Sequence, residues 1–166
     1  MKYFLLFLLL VAPQAHGQAR ERALLLLRHA TAEPSQNVNT IVLHTADSAA
    51  AAYSDLARVL RADGFFLERT NPAWGAIDTG TRRVGGVSVV AAFRFIVVPA
   101  SDGAFIVVQG TYDSADSPRD HAHIFAPVGN VGLPGSAPQV AWAEMVRACL
   151  LYPHSTLAYA DSHKGR

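Results

Sequence analysis

Two long runs of β-branched and aromatic residues follow one another in the middle of this chain. The first, SVVAAFRFIVV, covers residues 88–98, and the second, AFIVVQGTY, covers residues 104–112. Between them lies Asp102-Gly103, a dipeptide that favours positive backbone dihedrals in tight turns. Runs of this kind joined by such a turn pair antiparallel. The sequence therefore predicts a long antiparallel hairpin at the centre of the fold, and it disfavours a doubly wound parallel sheet, which needs crossover helices.

Shorter β-type runs lie on both sides of this hairpin. They are predicted at residues 40–44, 65–69 and 76–84, the last one weakened by Gly80, and an edge strand is predicted at 155–159.

Two segments have helical periodicity instead. The first begins at Asp47 or Ser48, either of which can cap free amide groups, and it runs to about residue 63 before Gly64. The second lies between Pro138 and Pro153.

The apolar positions of these segments define an expected core. Helices of this kind bury one stripe against one face of an antiparallel sheet. We therefore predict an α+β fold, a two-layer sandwich in which an antiparallel sheet of four to five strands packs against two amphipathic helices. The predicted core consists of Tyr53, Leu56, Leu60, Phe93, Phe95, Ile106, Val108, Trp142, Met145 and Cys149.

The N-terminus has the layout of a cleaved secretory signal. Lys2 precedes an uncharged apolar run over residues 3–12, then Pro13 and several small residues. The run is shorter than the ~20 residues that span a bilayer. We expect a signal peptide at 1–17, a linker at 18–37, a single domain at 38–160 and a loose tail at 161–166. The predicted location is secreted or periplasmic.

Charge and cysteine content limit the classes of partner. The chain has 14 basic and 13 acidic residues, and removal of Lys2 with the signal leaves the two balanced. A balanced chain gives no electrostatic reason to bind nucleic acid, and no membrane span is predicted. Cys149 is the only cysteine, so no disulfide can form within the chain. A lone thiol of this kind is more often a buried apolar residue than a nucleophile.

The stretch LLLLRHATAEP, residues 24–34, resembles the opening motif of the histidine phosphatase superfamily. The resemblance implies that His29 attacks phosphorus and that Arg28 binds the phosphoryl oxygens. The chain also departs from that pattern. Ala30 stands where the family usually has glycine, and Gly75 stands where its second arginine would lie. The family's parallel sheet differs from the hairpin predicted here, so a phosphomonoesterase that uses Arg28-His29 is kept as the alternative function.

Other candidate residues lie in a polar excursion at 113–137 and near a predicted strand end. An extended His-x-His pair points both imidazoles to one side, so His121 and His123 are weak candidates for a metal ligand pair. No third neutral donor is fixed by spacing, and the favoured interpretation is a solvated loop without metal. No phosphate-loop or dinucleotide motif is present, so no cofactor is predicted. The candidate binding residues are Trp74, Asp116, Asp120, His121 and His123.

The sequence contains no complete group of residues that would carry out a known type of catalysis. The pattern therefore favours an exported, non-catalytic binding or accessory domain of the cell envelope or extracellular space. Its partner, a protein or a small ligand, would contact either an open face of the sheet or the 113–137 loop.

Overall fold

The computed structural model describes residues 30–85, 89–114, 125–153 and 155–162. Within these ranges the chain forms two α-helices, one 3-10 turn at Pro72–Trp74 and one antiparallel sheet whose strands differ in length. The helices are α1 (Ala49–Ala62) and α2 (Ala137–Leu150). The strands are β1 (Thr40–Thr45), β2 (Leu67–Asn71), β3 (Ala76–Thr79), β4 (Arg82–Val84), β5 (Val89–Ala100), β6 (Gly103–Ser114), β7 (Ala126–Pro127) and β8 (Ser155–Ala160).

The hairpin of β5 and β6 is the centre of the sheet, as predicted. The sheet order is β2-β3-β5-β6-β1-β8, with β4 also paired to β5 and β7 also paired to β6. Every pairing between the named strands is antiparallel. The predicted edge strand near the C-terminus is present as β8, beside β1.

The predicted number of strands was too low. The described residues form eight strands in one sheet, whereas four to five were expected. The run at 76–84 divides at Gly80 into β3 and β4. Both strands pair with the same edge of β5, β3 near residues 94–96 and β4 near residues 89–91. The two-residue strand β7 arises inside the polar excursion and pairs with Thr111 and Tyr112. Such a short strand has no periodicity of its own, so only its pairing with β6 creates it.

Both helices form where the sequence indicates. The Ser48 side chain accepts a hydrogen bond from the Ala51 amide at 3.3 Å, which satisfies one free donor of the first turn of α1. Gly64 follows the helix with φ of 84°, the left-handed conformation that ends many helices. α2 has Pro138 in its first turn, where the missing amide hydrogen costs nothing.

One hydrophobic core lies between the helices and the sheet. All ten predicted core residues belong to it: nine are buried, and Tyr53 is half-buried at its margin. Phe95 is completely buried in the middle of β5. The prediction succeeded here because the 3.6-residue and two-residue periodicities each identify one apolar side of an element.

The sheet has two chemically different faces. Residues of β5 such as Phe93, Phe95 and Val97 point into the core shared with both helices. Their neighbours along the strand, including Arg94 and Ile96, point the other way because side chains alternate. We call this second side, opposite to α1 and α2, the helix-free face.

The chain before β1 lies along the edge of the sheet. Thr31 donates its amide hydrogen to the Tyr159 carbonyl at 3.0 Å, and its carbonyl accepts from the Tyr159 amide at 2.9 Å. Further on, the Asn130 side chain donates to the Ser35 carbonyl at 3.0 Å. Residues 30–37 are therefore tied to β8 and to the segment that precedes α2.

Candidate functional site

An apolar row crosses the helix-free face. Strand register places five small or aliphatic residues side by side, one from each of β3, β5, β6, β1 and β8. They are Ala76, Ile96, Val107, Val42 and Ala158. We call this set the apolar row. Val42 and Val107 in this row are almost fully buried. The members that can contact a partner are the half-buried Ala76, Ile96 and Ala158, none of which carries a charge.

A polar row lies directly beside it, two residues further along each strand. It contains Asp78, Arg94, Gln109 and Thr40, each two residues from a member of the apolar row, and Arg69, which faces Asp78 from β2. Arg94 donates to both carboxylate oxygens of Asp78, at 2.6 and 3.1 Å. These hydrogen bonds raise the pKa of Arg94 above its ordinary value. Gln109 donates to Thr40 at 3.1 Å.

Trp74 is presented by a turn that is held at both ends. The turn follows β2, and the Asn71 side chain accepts from the Trp74 amide at 3.3 Å. Gly75 closes it with φ of 62°, and its carbonyl accepts from the Val97 amide at 2.8 Å. A Cβ on Gly75 would lie 2.2 Å from the Val97 carbonyl oxygen, so only glycine fits against β5. This fixed turn leaves Trp74 59% exposed.

A second aromatic residue is exposed just before β2. Phe66 is 74% exposed, whereas its neighbour Phe65 is buried in the core. The Phe66 carbonyl accepts from the Gly80 amide at 2.8 Å, which fixes its backbone beside the junction of β3 and β4. Exposed aromatic side chains therefore lie before and after the edge strand β2.

Of the candidate site residues, the structure describes only Trp74. Its side chain is exposed, as a binding role requires. The other candidates lie outside the described residues: Arg28, His29, Asp116, Asp120, His121 and His123. Within the described ranges, no group of three or more His, Cys, Asp or Glu side chains is arranged to hold a metal ion.

The densest group of charges lies on the helix side of the sheet, not on the helix-free face. Asp63, at the end of α1, accepts from Arg147 of α2 at 2.6 and 3.0 Å and from Arg82 of β4 at 3.3 Å. Glu144 accepts two further bonds from Arg147, both at 2.8 Å. Two acids thus face two arginines, and the charges of the cluster cancel.

An aromatic ring completes this cluster. The Arg82 guanidinium lies 4.3 Å from the centre of the Phe65 ring, within the range of a cation–π contact. The hydrogen bond from Arg147 is the main cause that holds the pKa of Asp63 below its ordinary value. We infer that the cluster joins α1, β4 and α2, because Asp63 is bonded to both arginines and Glu144 also lies 3.6 Å from Arg82 of β4.

This cluster predicts a pH-dependent loss of stability. Because the folded pKa of Asp63 is lowered, its contribution is complete above the unfolded pKa and is lost as pH falls through the folded value. Asp63→Asn should cost about 1–2 kcal/mol near neutral pH, the value of charge-assisted hydrogen bonds reduced for partial solvent exposure. Denaturant unfolding of both proteins between neutral and acid pH measures the difference, which should shrink as the wild-type carboxyl becomes protonated.

Asp55→Asn is the matched control for that experiment. Asp55 pairs with Arg58 one helical turn away on the exposed side of α1, at 3.1 Å. Such exposed pairs contribute about 0.5 kcal/mol or less. A cost of Asp63→Asn equal to that of Asp55→Asn, or one that does not change with pH, would contradict the role given to Asp63.

Two other ionisable groups are also engaged in the fold. Burial raises the pKa of the Cys149 thiol, and the residue is fully enclosed in the core, as expected for a structural cysteine. The Tyr152 hydroxyl donates to the Asp47 carboxylate at 2.6 Å, and Thr45 donates to the same oxygen at 3.0 Å. Burial, together with this bond, raises the pKa of Tyr152 to about 12.

Comparisons with known proteins give no family for this chain. No protein-family model matches it, and no curated protein matches it at a significant level. Among the described residues, neither helix is long and apolar enough to cross a membrane.

Sequence reasoning missed part of this surface. The cross-strand partner of Arg94 could not be named, because Asp78 is 16 residues away and meets it only through the β3–β5 register. Arg94 itself lies on the exposed side of its strand. The strand predicted to start at Phe65 starts at Leu67 instead, so Phe66 lies just outside β2.

Proposed function

We propose that this protein is an exported, non-catalytic binding domain, and that its partner contacts the helix-free face beside Trp74. The contact surface is the part of that face formed by β2, β3 and β5. The export signal predicted at residues 1–17 supports the location. The observation that supports the binding role is that Trp74 is exposed on a turn fixed by hydrogen bonds.

An exposed tryptophan on a fixed turn is well suited to a binding surface. Tryptophan offers a large apolar surface with few rotatable bonds, and such residues contribute most to many protein interfaces. The turn around Trp74 is fixed by Asn71 and by the Gly75–Val97 hydrogen bond before any partner arrives. Binding at this position would therefore lose little backbone entropy.

The residues near Trp74 indicate the chemistry of the partner. Ala76 and Ile96 provide apolar contacts in the row that starts next to the turn. Arg94 and Asp78 lie two residues further on, and Arg69 faces Asp78 from β2. A protein segment fits this arrangement, because its apolar groups can contact Ala76 and Ile96 while its polar groups form hydrogen bonds with the charged residues beside them.

The charged cluster around Asp63 and the Cys149 thiol are engaged in the fold, which favours a structural role over a catalytic one for these groups. The four charged side chains of this cluster, Asp63, Glu144, Arg82 and Arg147, neutralise one another, and Cys149 is enclosed by the core. A catalytic group must instead reach a substrate with a proton or an electron pair available. The antiparallel pairing of all the named strands also differs from the parallel sheet of the histidine phosphatase family.

Replacement of Trp74 by alanine tests the proposal. The mature wild-type protein is immobilised, retained proteins from the envelope fraction of the source cells are identified by quantitative mass spectrometry, and each is purified and titrated. We expect Trp74→Ala to weaken the specific complex at least tenfold, since truncation of a central interface tryptophan commonly costs about 2 kcal/mol or more. Its unfolding midpoint should stay close to that of the wild type.

Leu133→Ala is the matched control, because Leu133 is 78% exposed but lies in the segment before α2. It should bind like the wild type. A Trp74→Ala protein with unchanged affinity would contradict the proposed surface. A phosphomonoester assay tests the alternative: robust turnover by the wild type that vanishes in His29→Ala would show an enzyme.

A further inference from the structure

The two edges of the sheet differ. β8 forms one edge, where Thr31 exchanges two backbone hydrogen bonds with Tyr159. β2 forms the other edge, and among the described strands it pairs with β3 alone. Four of the five residues of β2 are exposed, and its β-bulge lies before Arg69, so the register with β3 is regular from there on. β2 is therefore the edge that is open to a further strand.

The backbone of β3 shows which way the backbone groups of β2 point. Alternate residues of an antiparallel strand direct their amide and carbonyl groups to opposite neighbours. The Gly75 carbonyl is bonded to Val97 of β5, whereas the Gly80 amide is bonded to the Phe66 carbonyl just before β2. Odd-numbered residues from 75 to 79 therefore face β5, and even-numbered residues from 76 to 80 face β2.

This alternation leaves the backbone of Thr70 open. Arg69 and Asn71 stand opposite the even-numbered Asp78 and Ala76, so their backbone groups face β3. Thr70 lies between them and directs its amide and carbonyl away from β3. An exposed edge with such groups is a site where an extended chain can add as a further strand, held by main-chain hydrogen bonds.

An exposed aromatic side chain lies beyond each end of β2. Phe66 precedes the strand, and a Cβ on Gly80 would lie 2.9 Å from its Cδ1 atom, so the Phe66 ring rests on Gly80. Gly80 comes two residues after Asp78, which places the ring on the helix-free side. Trp74 follows the other end of β2, in the fixed turn. A segment along this edge therefore has an aromatic group at each end to contact.

The charge at the middle of this edge is that of Arg69. Among the described residues, Arg69 has no ion pair. It stands opposite Asp78, but both carboxylate oxygens of Asp78 accept hydrogen bonds from Arg94 on the other side. Glu68 is exposed beside it at the bulge, and it also has no ion pair within the described ranges. An exposed guanidinium of this kind is suited to bind a carboxylate from outside the molecule.

We propose that the partner is an extended protein segment that adds to the outer edge of β2 and binds Arg69 through a carboxylate. Alternate side chains of an extended segment share one side. A segment with an acidic residue between two apolar residues, each two positions away, therefore directs the acid to Arg69 and the apolar groups toward Phe66 and Trp74. The inference rests on the proposed function, and it names the conformation and the chemistry of the partner.

Two synthetic peptides test this proposal with the mature full-length protein. They are acetyl-Leu-Thr-Glu-Thr-Leu-amide and the same peptide with lysine in place of glutamate. Titrations are followed by nuclear magnetic resonance of the amide groups and the Trp74 indole. We expect the Glu peptide to bind about fivefold more tightly than the Lys peptide, because exposed charge pairs are weak but the exchange turns attraction into repulsion. The Thr70 amide should shift with the Trp74 indole, and its hydrogen exchange should slow.

Arg69→Gln should bring the affinities of the two peptides to within about twofold of each other. Arg61→Gln is the matched control, because Arg61 is an exposed arginine of α1 on the other side of the sheet. It should keep the preference of the wild type.

Three results would overturn the proposal. They are equal affinities of the two peptides for the wild type, no binding of either peptide, or binding that leaves the Thr70 amide unchanged. A concentration-dependent shift of Thr70 without peptide would also overturn it, since a second copy of the chain would then occupy the edge. The proposed function is tested separately by the affinity of the Trp74→Ala protein for its retained partner, so the two can fail independently.

Discussion

Replacement of Phe95 by alanine should lower the free energy of unfolding by about 3–5 kcal/mol, the usual cost of truncating a buried phenylalanine. Phe95 is fully buried in the middle of β5, with Ile77 of β3 and Val108 of β6 as its neighbours in register. The loss combines the burial of the ring with the cavity that remains, because neighbouring side chains relax only in part. Urea unfolding followed by circular dichroism measures it.

Phe66→Ala is the matched control, since it makes the same chemical change at a residue that is 74% exposed. It should change stability by no more than about 0.5 kcal/mol. Similar losses for the two variants would mean that the faces of the sheet are assigned wrongly. The m-value should be unchanged in both variants if the extent of unfolding is the same.

A methyl group on Gly103 should destabilise the protein by about 2–4 kcal/mol, through backbone strain together with overpacking. Gly103 is the first residue of β6 and has φ of 142°. A Cβ there would lie 1.9 Å from the Thr45 carbonyl oxygen and 2.8 Å from the Cα of Ala46. The end of β1 would have to move away from the central hairpin. Thermal or urea unfolding of Gly103→Ala measures the cost.

Gly64→Ala separates the two causes. Gly64 also has a positive φ, of 84°, but its Cβ position has no atom within 4 Å. Its substitution should therefore cost only the strain of the left-handed conformation, about 1–2 kcal/mol. If Gly103→Ala costs no more than Gly64→Ala, the contact with β1 does not matter for stability.

The candidate site was only partly predictable from the sequence. Trp74 was identified because it follows Asn71-Pro72, a pattern that ends a strand in a turn. The sequence could not show that the turn is fastened to Val97, since that hydrogen bond joins residues more than 20 positions apart. It also could not show the apolar row, whose members come from five different strands. The roles of the histidines and aspartates in the polar excursion remain predictions.

The sequence by itself determined the elements that depend on local periodicity. The β5–β6 hairpin, α1 with its Ser48 cap, and the buried side of each follow from residues a few positions apart, whose side chains must share one apolar side. Tertiary structure decided everything that joins distant segments. It placed β8 beside β1, divided residues 76–84 into two strands on one edge of β5, and brought Asp63 to Arg147. The physical reason is that these contacts depend on sheet register and on the packing of helices, which local sequence patterns do not encode.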